Sequence, residues 1–394
     1  MMARPLEGII VTSLEQAVAA PFATRQLADW GARVIKVERP QSGDFARHYD
    51  QTVGGLSSHF VWINRGKESI TLDLQSHEGR AILEKLLEHS DVLVQNLRPG
   101  SMEKWGMNSE TLRTRFPRLI CCNISGYGSD GPYRERKAYD LLIQAESGLL
   151  SITGTGETPV KVGVSIADIA AGMYALSGIL MAVLNRERTH EGTVIEISML
   201  EALAEWMGYP LNFGHFSGQA PPRTAAHHAT IAPYGPYRVA QGREVFLGVQ
   251  NEREWVAFCD KVIQKRELAK DARFANNTLR VSNRAALNQE IDEALSSLTM
   301  EQALARLEKA GIAYATLNTV EDLWAHPQLQ ARNRWRTVST EGGPIEALMP
   351  PINFWGIDPV MGSVPALGEQ TEAILTELGY SQNAIRTLRT QGVV

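Results

Sequence analysis

Cysteine and basic charge are both scarce in this chain, and each shortage excludes a class of protein. Its three cysteines, Cys121, Cys122 and Cys259, are too few for a disulfide framework and lack the spacing of metal ligands. Lysine and arginine total 39 against 44 aspartates and glutamates, and the resulting net charge of −5 argues against a nucleic-acid-binding protein. No basic segment followed by a long apolar run opens the sequence, so no signal peptide is predicted. We therefore expect a cytoplasmic protein with reduced, buried thiols.

Familiar catalytic signatures are missing as well. No Gly-rich turn follows the first predicted strand, where residues 12–21 read TSLEQAVAAP, and a dinucleotide-binding enzyme thereby loses its main support. The chain also lacks the Gly-x-Ser-x-Gly, His-Glu-x-x-His, Cys-x-x-Cys and Walker signatures. His227 and His228 are adjacent in a loop, and no third ligand lies at a regular spacing from them. No metal site is therefore predicted.

Hydrophobic periodicity indicates an α/β fold. Strands are predicted at residues 9–12, 34–37, 68–73, 91–94, 119–124 and 193–199. Helical periodicity lies between them, at 20–30, 78–88 and 101–115, and predicts βαβ units with a mainly parallel sheet. Because 394 residues are too many for one simple core, a second, smaller α+β domain is expected.

Changes of composition along the chain predict where these domains begin and end. Residues 209–243 are rich in Pro, Gly, His and aromatic residues and show no helical periodicity, so they are predicted to form a linker and a loop that carries a site. The predicted divisions are a large ligand-binding domain at 1–208, this linker and site loop at 209–243, the small α+β domain at 244–325, and a C-terminal segment at 326–394 that returns to the large domain.

The stretch 161–188 is predicted to form one long helix that opens with a single acid, Asp168. Residues 169–184 carry no charge, and a buried core helix is favoured over a membrane span because the run is short and rich in Gly, Ala and Ser. Ser165 and Asp168 have the spacing of a capping box, in which the acid binds a free backbone N–H group. The helix dipole favours an ionised carboxylate there, as a nucleophile would require. From spacing alone, cap and nucleophile both remain open for Asp168.

Basic side chains follow several of the predicted strands. Arg39 follows the second strand, Arg98 and Lys104 follow the fourth, and Lys137 lies in the loop after the fifth. Since the carboxyl ends of parallel strands meet at one edge of the sheet, these cations are expected to gather where ligands bind. Such a set is typical of a site for a polyanionic ligand.

At this point the ordered motifs resemble those of a known family, the class III CoA-transferases. This family includes formyl-CoA and carnitine CoA-transferases and their relative α-methylacyl-CoA racemase. The matching segments read PLEGIIVTSL, GARVIKVERPQSGDFAR, ESITLDLQSHEGR, DVLVQNLRPGSMEKWG, ISGYGSDGPY, ADIAAGMYALSGIL, HHATIAPYGPY, AGIAYATLNTVEDLWAHPQLQAR and PALGEQTEAILTELG. They run nearly from end to end of the chain.

The resemblance implies a fold, a reaction and a set of site residues. It implies a Rossmann-like large domain, a small domain and a homodimer of interlocked chains, with CoA thioesters as substrates and no permanently bound cofactor. Asp168 would be the nucleophile, forming a mixed anhydride and then an aspartyl-CoA thioester. The positions implied to contact CoA are Arg39, Leu72, Asn96, Leu97, Lys104 and Lys137. The positions implied to lie near the thioester are Gln16, Ala17 and Val18.

The substrate is inferred from the branch of the family that the chain resembles most. The block QAVAAPFATRQLADWGARVIKVERP is most similar to enzymes that use succinyl-CoA as donor and small dicarboxylates as acceptors. Itaconate is the preferred acceptor, with mesaconate, citramalate and malate as the others. A free second carboxylate needs a cation or several hydrogen-bond donors. The candidates for binding it are Arg47, Tyr139, His227, His228 and Tyr234.

Two other functions remain as alternatives. A 2-methylacyl-CoA racemase needs a base on each face of the α-carbon, and the related racemases pair their aspartate with a histidine. Tyr139 stands at that position here, and a phenol is a poor base near neutral pH. The second alternative is an inactive CoA-binding subunit, against which Asp168 and the basic set argue.

Overall fold

The computed structural model describes residues 3–394. Its strands are β1 (Ile10–Leu14), β2 (Arg33–Glu38), β3 (Lys67–Thr71), β4 (Val92–Gln95), β5 (Ile120–Ser125), β6 (Val194–Ser198), β7 (Tyr234–Arg238), β8 (Glu244–Gly248), β9 (Ala313–Thr316), β10 (Trp335–Val338) and β11 (Ile345–Leu348). Its α-helices are α1 (Ala19–Asp29), α2 (Ser58–Asn64), α3 (His77–Glu88), α4 (Ser101–Lys104), α5 (Ser109–Arg115), α6 (Asp140–Glu146), α7 (Leu149–Ile152), α8 (Ile166–Thr189), α9 (Met199–Trp206), α10 (Gly208–Ser217), α11 (Glu252–Ala257), α12 (Asn277–Ser282), α13 (Arg284–Leu295), α14 (Met300–Ala310), α15 (Val320–Trp324), α16 (Pro327–Ala331), α17 (Thr371–Glu377) and α18 (Gln382–Thr390).

The chain divides into two compact units. Unit 1 takes the residues up to Ser147, then Val162–Met207 and Leu329–Val394. Unit 2 takes Gly148–Lys161 and Gly208–Gln328. The C-terminal segment is tied to β3 in unit 1, where the side-chain oxygen of Gln370 accepts a hydrogen bond from the Ser69 amide at 2.7 Å.

Unit 1 is built on a six-stranded sheet in the order β3-β2-β1-β4-β5-β6. Every neighbouring pair is parallel; Val11 of β1, for example, pairs with Val34 of β2 on one side and with Val92 of β4 on the other. The strand order reverses between β1 and β4, and in sheets of this type ligands bind beyond the carboxyl ends of the strands at that reversal. This sheet confirms the predicted α/β, Rossmann-like class and locates the edge at which a site is expected.

Helix α8 packs on α1 through small residues, as its composition predicts. A Cβ atom added at Gly172 would lie 2.7 Å from the carbonyl oxygen of Ala19, so only glycine allows this approach. Only one side of the helix is covered in this chain, however. Met181 and Leu184 are each 65% exposed, which corrects the expectation that the whole uncharged body is buried. The helix has the length and hydropathy of a membrane span, but 44% of its apolar window is buried inside the protein.

Unit 2 is a smaller α+β assembly. Strands β7, β8 and β9 form an antiparallel sheet, and helices α11 to α14 surround a core that includes Trp255, Phe258 and Phe274. It also contains α10, most of which lies in the 209–243 stretch that was predicted to lack helical structure. The expected helix at 101–115 is likewise two helices, because Gly106 adopts a positive φ of 74° between them.

Candidate active site

The loops that follow β1 and β4 are joined where the strand order reverses. The Gln16 amide donates to the side-chain oxygen of Asn96 at 2.8 Å, and the Asn96 amide group donates back to the Gln16 carbonyl at 2.9 Å. Both residues were implied by the resemblance, and the fold brings them together through this reciprocal pair. Gln16 and Asn96 therefore lie at the edge of the sheet where a ligand is expected to bind.

The next residue of the β1 loop has an unusual backbone conformation. Ala17 adopts a left-handed φ of 60°, which is unfavourable for a residue with a Cβ atom. Its N–H group donates to Oδ1 of Asp44 at 3.1 Å, and the same oxygen accepts from the Ala46 amide at 2.9 Å. The amide of Phe45 approaches the Gln16 side chain at 3.4 Å. Hydrogen bonds with the segment that follows β2 thus stabilise this loop.

Asp168 lies in the first turn of α8, and it does not cap that helix. Ser165 makes no side-chain capping hydrogen bond, so the predicted capping box is wrong. Oδ1 of Asp140 takes that place, because it accepts the N–H groups of Ala167 at 2.7 Å and Asp168 at 3.3 Å. Within the described residues the Asp168 carboxylate accepts no hydrogen bond of its own. The side chain of Asp168 is therefore left available for another partner.

Asp140 is itself held in place. Its second oxygen accepts from the side-chain Nε2 of Gln144 at 2.6 Å, and the side-chain Oε1 of Gln144 accepts from the backbone N–H of Val162 at 3.0 Å. Asp140 was not predicted as a site residue, although it stands next to Tyr139 in the stretch AYDLLIQ. The only local signal was an acid at the start of a helix.

The environment of Asp168 is less favourable to charge than the helix dipole alone predicts. Burial and the neighbouring Asp140 carboxylate raise the pKa of Asp168 to about 7. A helix N-terminus stabilises a carboxylate by about 1 kcal/mol or less, which does not offset burial beside a like charge. The expectation that Asp168 is fully ionised is therefore wrong, because a carboxyl group with a pKa of about 7 is partly protonated near neutral pH. A carboxylate with this pKa is a stronger base and nucleophile than an ordinary aspartate.

Two observations place Asp168 beside the β1 loop. Gly172, one turn further along the same face of α8, abuts the Ala19 carbonyl at the start of α1. In addition, burial together with the charges of Asp44, Asp168 and Tyr139 raises the pKa of Tyr49 to about 12. Tyr49 was not predicted, and its phenol lies within range of both carboxylates. Asp168 and the Asp44-held loop consequently face one region of unit 1.

The residues implied to contact CoA all belong to unit 1 and follow its strands. Arg39 is exposed after β2, Leu72 is buried after β3, and Leu97 is half-buried after β4. Lys104 and Lys137 are exposed, Lys104 at the end of α4 and Lys137 in the loop that leads to α6. Their contacts with CoA remain predictions.

Arg47 and Tyr139 also lie in unit 1. Arg47 pairs with Glu38 through two hydrogen bonds of 2.9 and 2.7 Å and lies over the Phe60 ring at 3.7 Å. Tyr139 precedes α6 and is 64% exposed. The guanidinium of Arg47 is thereby committed to an internal carboxylate.

The other candidates for the free carboxylate lie together in unit 2. The rings of His228 and Tyr234 stack at 5.2 Å, and His227 packs edge-on against Tyr237 at 5.6 Å. Burial and the guanidinium of Arg284 lower the pKa of both histidines, which are therefore neutral near pH 7. Neutral imidazoles donate hydrogen bonds without adding charge.

Arg284 is a residue of this group that the sequence did not reveal. Its Nη2 atom donates to the carbonyls of His228 at 2.7 Å and Ala229 at 3.2 Å. Its Nη1 atom is buried and has no hydrogen-bond partner among residues 3–394. In the same described part of the chain, no group of His, Cys, Asp or Glu side chains is placed to hold a metal ion.

Known CoA-transferases are similar to this chain over most of its length. The profile of CoA-transferase family III matches residues 6–371. The acetyl-CoA:oxalate CoA-transferase of Acetobacter aceti is 36% identical over 379 residues, covering 95% of this chain and 95% of that protein. The succinate–glutarate CoA-transferase of Agrobacterium fabrum is 33% identical over 390 residues, covering 95% of this chain and 96% of the relative.

A solved structure agrees with these sequence matches. The crystal structure of a CAIB/BAIF family protein from Brucella suis has a TM-score of 0.83 and 35% identity, covering 96% of this chain and 100% of that one. The resemblance seen in the ordered motifs is thus confirmed over nearly the whole chain, and so is the prediction of a CoA-transferase. The chain belongs to CoA-transferase family III.

Proposed function

We propose that this enzyme transfers CoA from an acyl-CoA donor to a small dicarboxylic acid through an aspartyl-CoA thioester on Asp168. One observation supports this most strongly: Asp140 accepts the N–H groups of Ala167 and Asp168, and among residues 3–394 the Asp168 carboxylate has no hydrogen-bond partner of its own. A carboxylate needed only for capping would be bound to those N–H groups itself.

The proposed steps conserve atoms and charge. The Asp168 carboxylate attacks the thioester carbonyl and the C–S bond breaks, which yields a mixed anhydride and CoA thiolate. The thiolate then attacks the Asp168 carbonyl, releasing the donor acid and leaving aspartyl-CoA. The acceptor carboxylate reverses both steps and departs as its own CoA thioester. Each exchange regenerates a carboxylate, which is a better leaving group than an alkoxide.

For the donor and acceptor we propose succinyl-CoA and a dicarboxylate, with itaconate preferred and mesaconate, citramalate and malate as the other candidates. Relatives named for oxalate and for succinate and glutarate support a dicarboxylate in general. We propose His227, His228 and Tyr234 as its binding residues, with Arg284 beside them as the nearby cation. Arg47 is a weaker candidate for binding the free carboxylate, because its guanidinium already forms an ion pair with Glu38.

A panel assay tests the transfer reaction. Purified enzyme is incubated with succinyl-CoA and one acceptor at a time, including oxalate, glutarate, formate and carnitine, and new CoA thioesters are identified by mass spectrometry. We expect transfer to the dicarboxylates and none with Asp168→Ala. Hydroxylamine should convert the aspartyl-CoA thioester to a hydroxamate on Asp168 with release of CoA, and mass spectrometry of the peptide that contains Asp168 would detect it. Failure of every acceptor would refute the proposal, and transfer by Asp168→Ala would refute the role of that residue.

The acceptor site has its own test. His227→Ala/His228→Ala should raise the apparent KM for the acceptor and leave the KM for succinyl-CoA unchanged. His215→Ala, which removes an exposed histidine of the same unit, is the matched control. An acceptor KM that equals that of the control would refute this assignment.

We also propose that the enzyme is a homodimer. Apolar side chains remain uncovered in both units, including Met181 and Leu184 on α8 and Phe216, which is 82% exposed, on α10. Exposed apolar surface of this kind is typical of protein interfaces. Light scattering should give twice the chain mass, and Met181→Glu/Leu184→Glu should lower it. A monomeric wild-type protein would contradict the proposal.

A further inference from the structure

Four ionisable side chains are buried together beneath the loop that joins β1 to α1. Glu15, Lys36 and Asp44 have no exposed surface, and Lys67 has 4%. Lys36 Nζ lies 2.9 Å from Asp44 Oδ2 and 3.3 Å from Glu15 Oε1, and Lys67 Nζ lies 2.6 Å from Glu15 Oε1. Two carboxylates and two amino groups thus alternate through the interior. We call these four residues the buried charge cluster.

Stability alone gives little reason to keep such a cluster. Moving charges out of water is costly, and well-packed apolar residues of similar volume often serve stability as well or better. The cost is visible at Lys67, where burial lowers the pKa despite the nearby Glu15 carboxylate. Burial also opposes the charge of Glu15, but Lys67 and Lys36 outweigh it and hold the pKa of Glu15 below its usual range. A role in positioning the neighbouring backbone would explain why these four charged side chains are buried despite the cost of removing them from water.

The cluster contacts the backbone within the loop Gln16–Val18 and just before and after it, where Lys67 donates to the Pro21 carbonyl oxygen at 3.2 Å. Asp44 accepts the N–H group of Ala17, and Lys36 approaches the carbonyl oxygen of Glu15 at 3.4 Å. Thr24, in the second turn of α1, donates to Glu15 Oε2 at 2.6 Å and so fixes the other side of the same carboxylate. Ala17 holds a left-handed conformation that an alanine does not favour by itself. Through Asp44, the cluster therefore supplies the hydrogen bond that holds Ala17 in this unfavourable conformation.

The loop held in this way lies beside the reacting carboxylate. The start of α1 contacts Gly172, which lies one turn after Asp168 on the same face of α8. In addition, the charges of Asp44 and Asp168 both contribute to the raised pKa of Tyr49. We propose that the buried charge cluster positions the Gln16–Val18 loop for the reaction at Asp168, with Asp44 as the residue that transmits its position to Ala17. This proposal rests on the proposed function, since it requires Asp168 to be the group that reacts.

The test compares two substitutions of the same kind in unit 1. Asp44→Asn keeps the shape and an acceptor oxygen for Ala17 but removes the charge that faces Lys36. Asp29→Asn is the matched control: Asp29 is also buried between cations, Arg25 at 2.7 Å and Arg65 at 2.8 Å, but stands at the far end of α1. Both variants should lower the melting temperature. Only Asp44→Asn should lower kcat per folded enzyme, by about 10- to 100-fold with the KM for succinyl-CoA nearly unchanged, because misplacement of a reacting group acts on the chemical step.

Two outcomes for the kcat of these variants would overturn the proposal. Equal kcat for the two variants would reduce Asp44 to a structural role, as would a kcat loss that matches the loss of folded protein. If Asp44→Asn does not fold, Glu15→Gln/Lys67→Met removes one charge of each sign and keeps the Lys36–Asp44 pair. That double variant should show the same fall in kcat, and an unchanged kcat would overturn the proposal. An inactive wild-type enzyme would instead reject the proposed function itself.

Discussion

Replacing Asp168 by asparagine should stabilise the folded protein above neutral pH while abolishing transfer. Burial and the Asp140 carboxylate raise the pKa of Asp168 to about 7, so the folded chain binds this proton more tightly than the unfolded chain. At about 1.4 kcal/mol per pKa unit, the difference from an ordinary aspartate corresponds to about 4 kcal/mol as an upper limit. Asparagine removes the charge and with it the cost of keeping that charge beside Asp140. The expected gain in the free energy of unfolding is about 2–4 kcal/mol.

The pH dependence distinguishes this explanation from ordinary packing effects. The cost of ionised Asp168 is absent below the pKa of the unfolded chain, near about pH 4, and is complete above about pH 7. The gain from Asp168→Asn should therefore be full at about pH 8, and less than half of it should remain at about pH 5.

Thermal unfolding of the wild type and the variant at both pH values, followed by circular dichroism, measures the effect. Asp29→Asn, which deprives Arg25 and Arg65 of their shared partner, should destabilise at both pH values. A variant Asp168→Asn that is less stable than the wild type at high pH, or whose gain does not change with pH, would refute the reasoning.

Two further predictions follow from single contacts. Asp140→Asn keeps an oxygen for the N–H groups of Ala167 and Asp168 but removes the charge that faces the Asp168 carboxylate. The pKa of Asp168 should fall, so the acid limb of kcat/KM should move to lower pH; an unmoved limb would contradict this role of Asp140. Arg280→Met in unit 2 removes the donor to the Ala232 carbonyl at 2.9 Å and the pair with Glu252, and should cost about 2–4 kcal/mol. Backbone amide hydrogen exchange of this variant should become faster in unit 2 and stay unchanged in the sheet of unit 1. Unchanged exchange in unit 2 would contradict the predicted loss of stability.

Local periodicity was sufficient to predict the sheet of unit 1. A strand shows either alternating apolar and polar residues or a short continuous apolar run, and both patterns are visible within a few neighbouring residues. The bounds of β2 and β5 were therefore predicted to within about two residues. The same approach failed at α10, because Pro, Gly and aromatic residues at 208–217 give no helical pattern in the sequence. It failed again at Gly106, where one positive φ ends a helix that the periodicity would continue.

Asp168 shows most clearly what each level of structure determined. The sequence by itself established that a single acid opens a slim, uncharged helix, and the ordered motifs pointed to CoA transfer. Local spacing also predicted that Ser165 and Asp168 form a capping box with the free backbone N–H groups at the start of α8, and this prediction was wrong. The cap comes from Asp140, which is 28 residues away in the chain, and the hold on Ala17 comes from Asp44, which is 27 residues away. Partners so distant in sequence meet only because α6 and the segment after β2 pack where they do, and no local pattern carries that information.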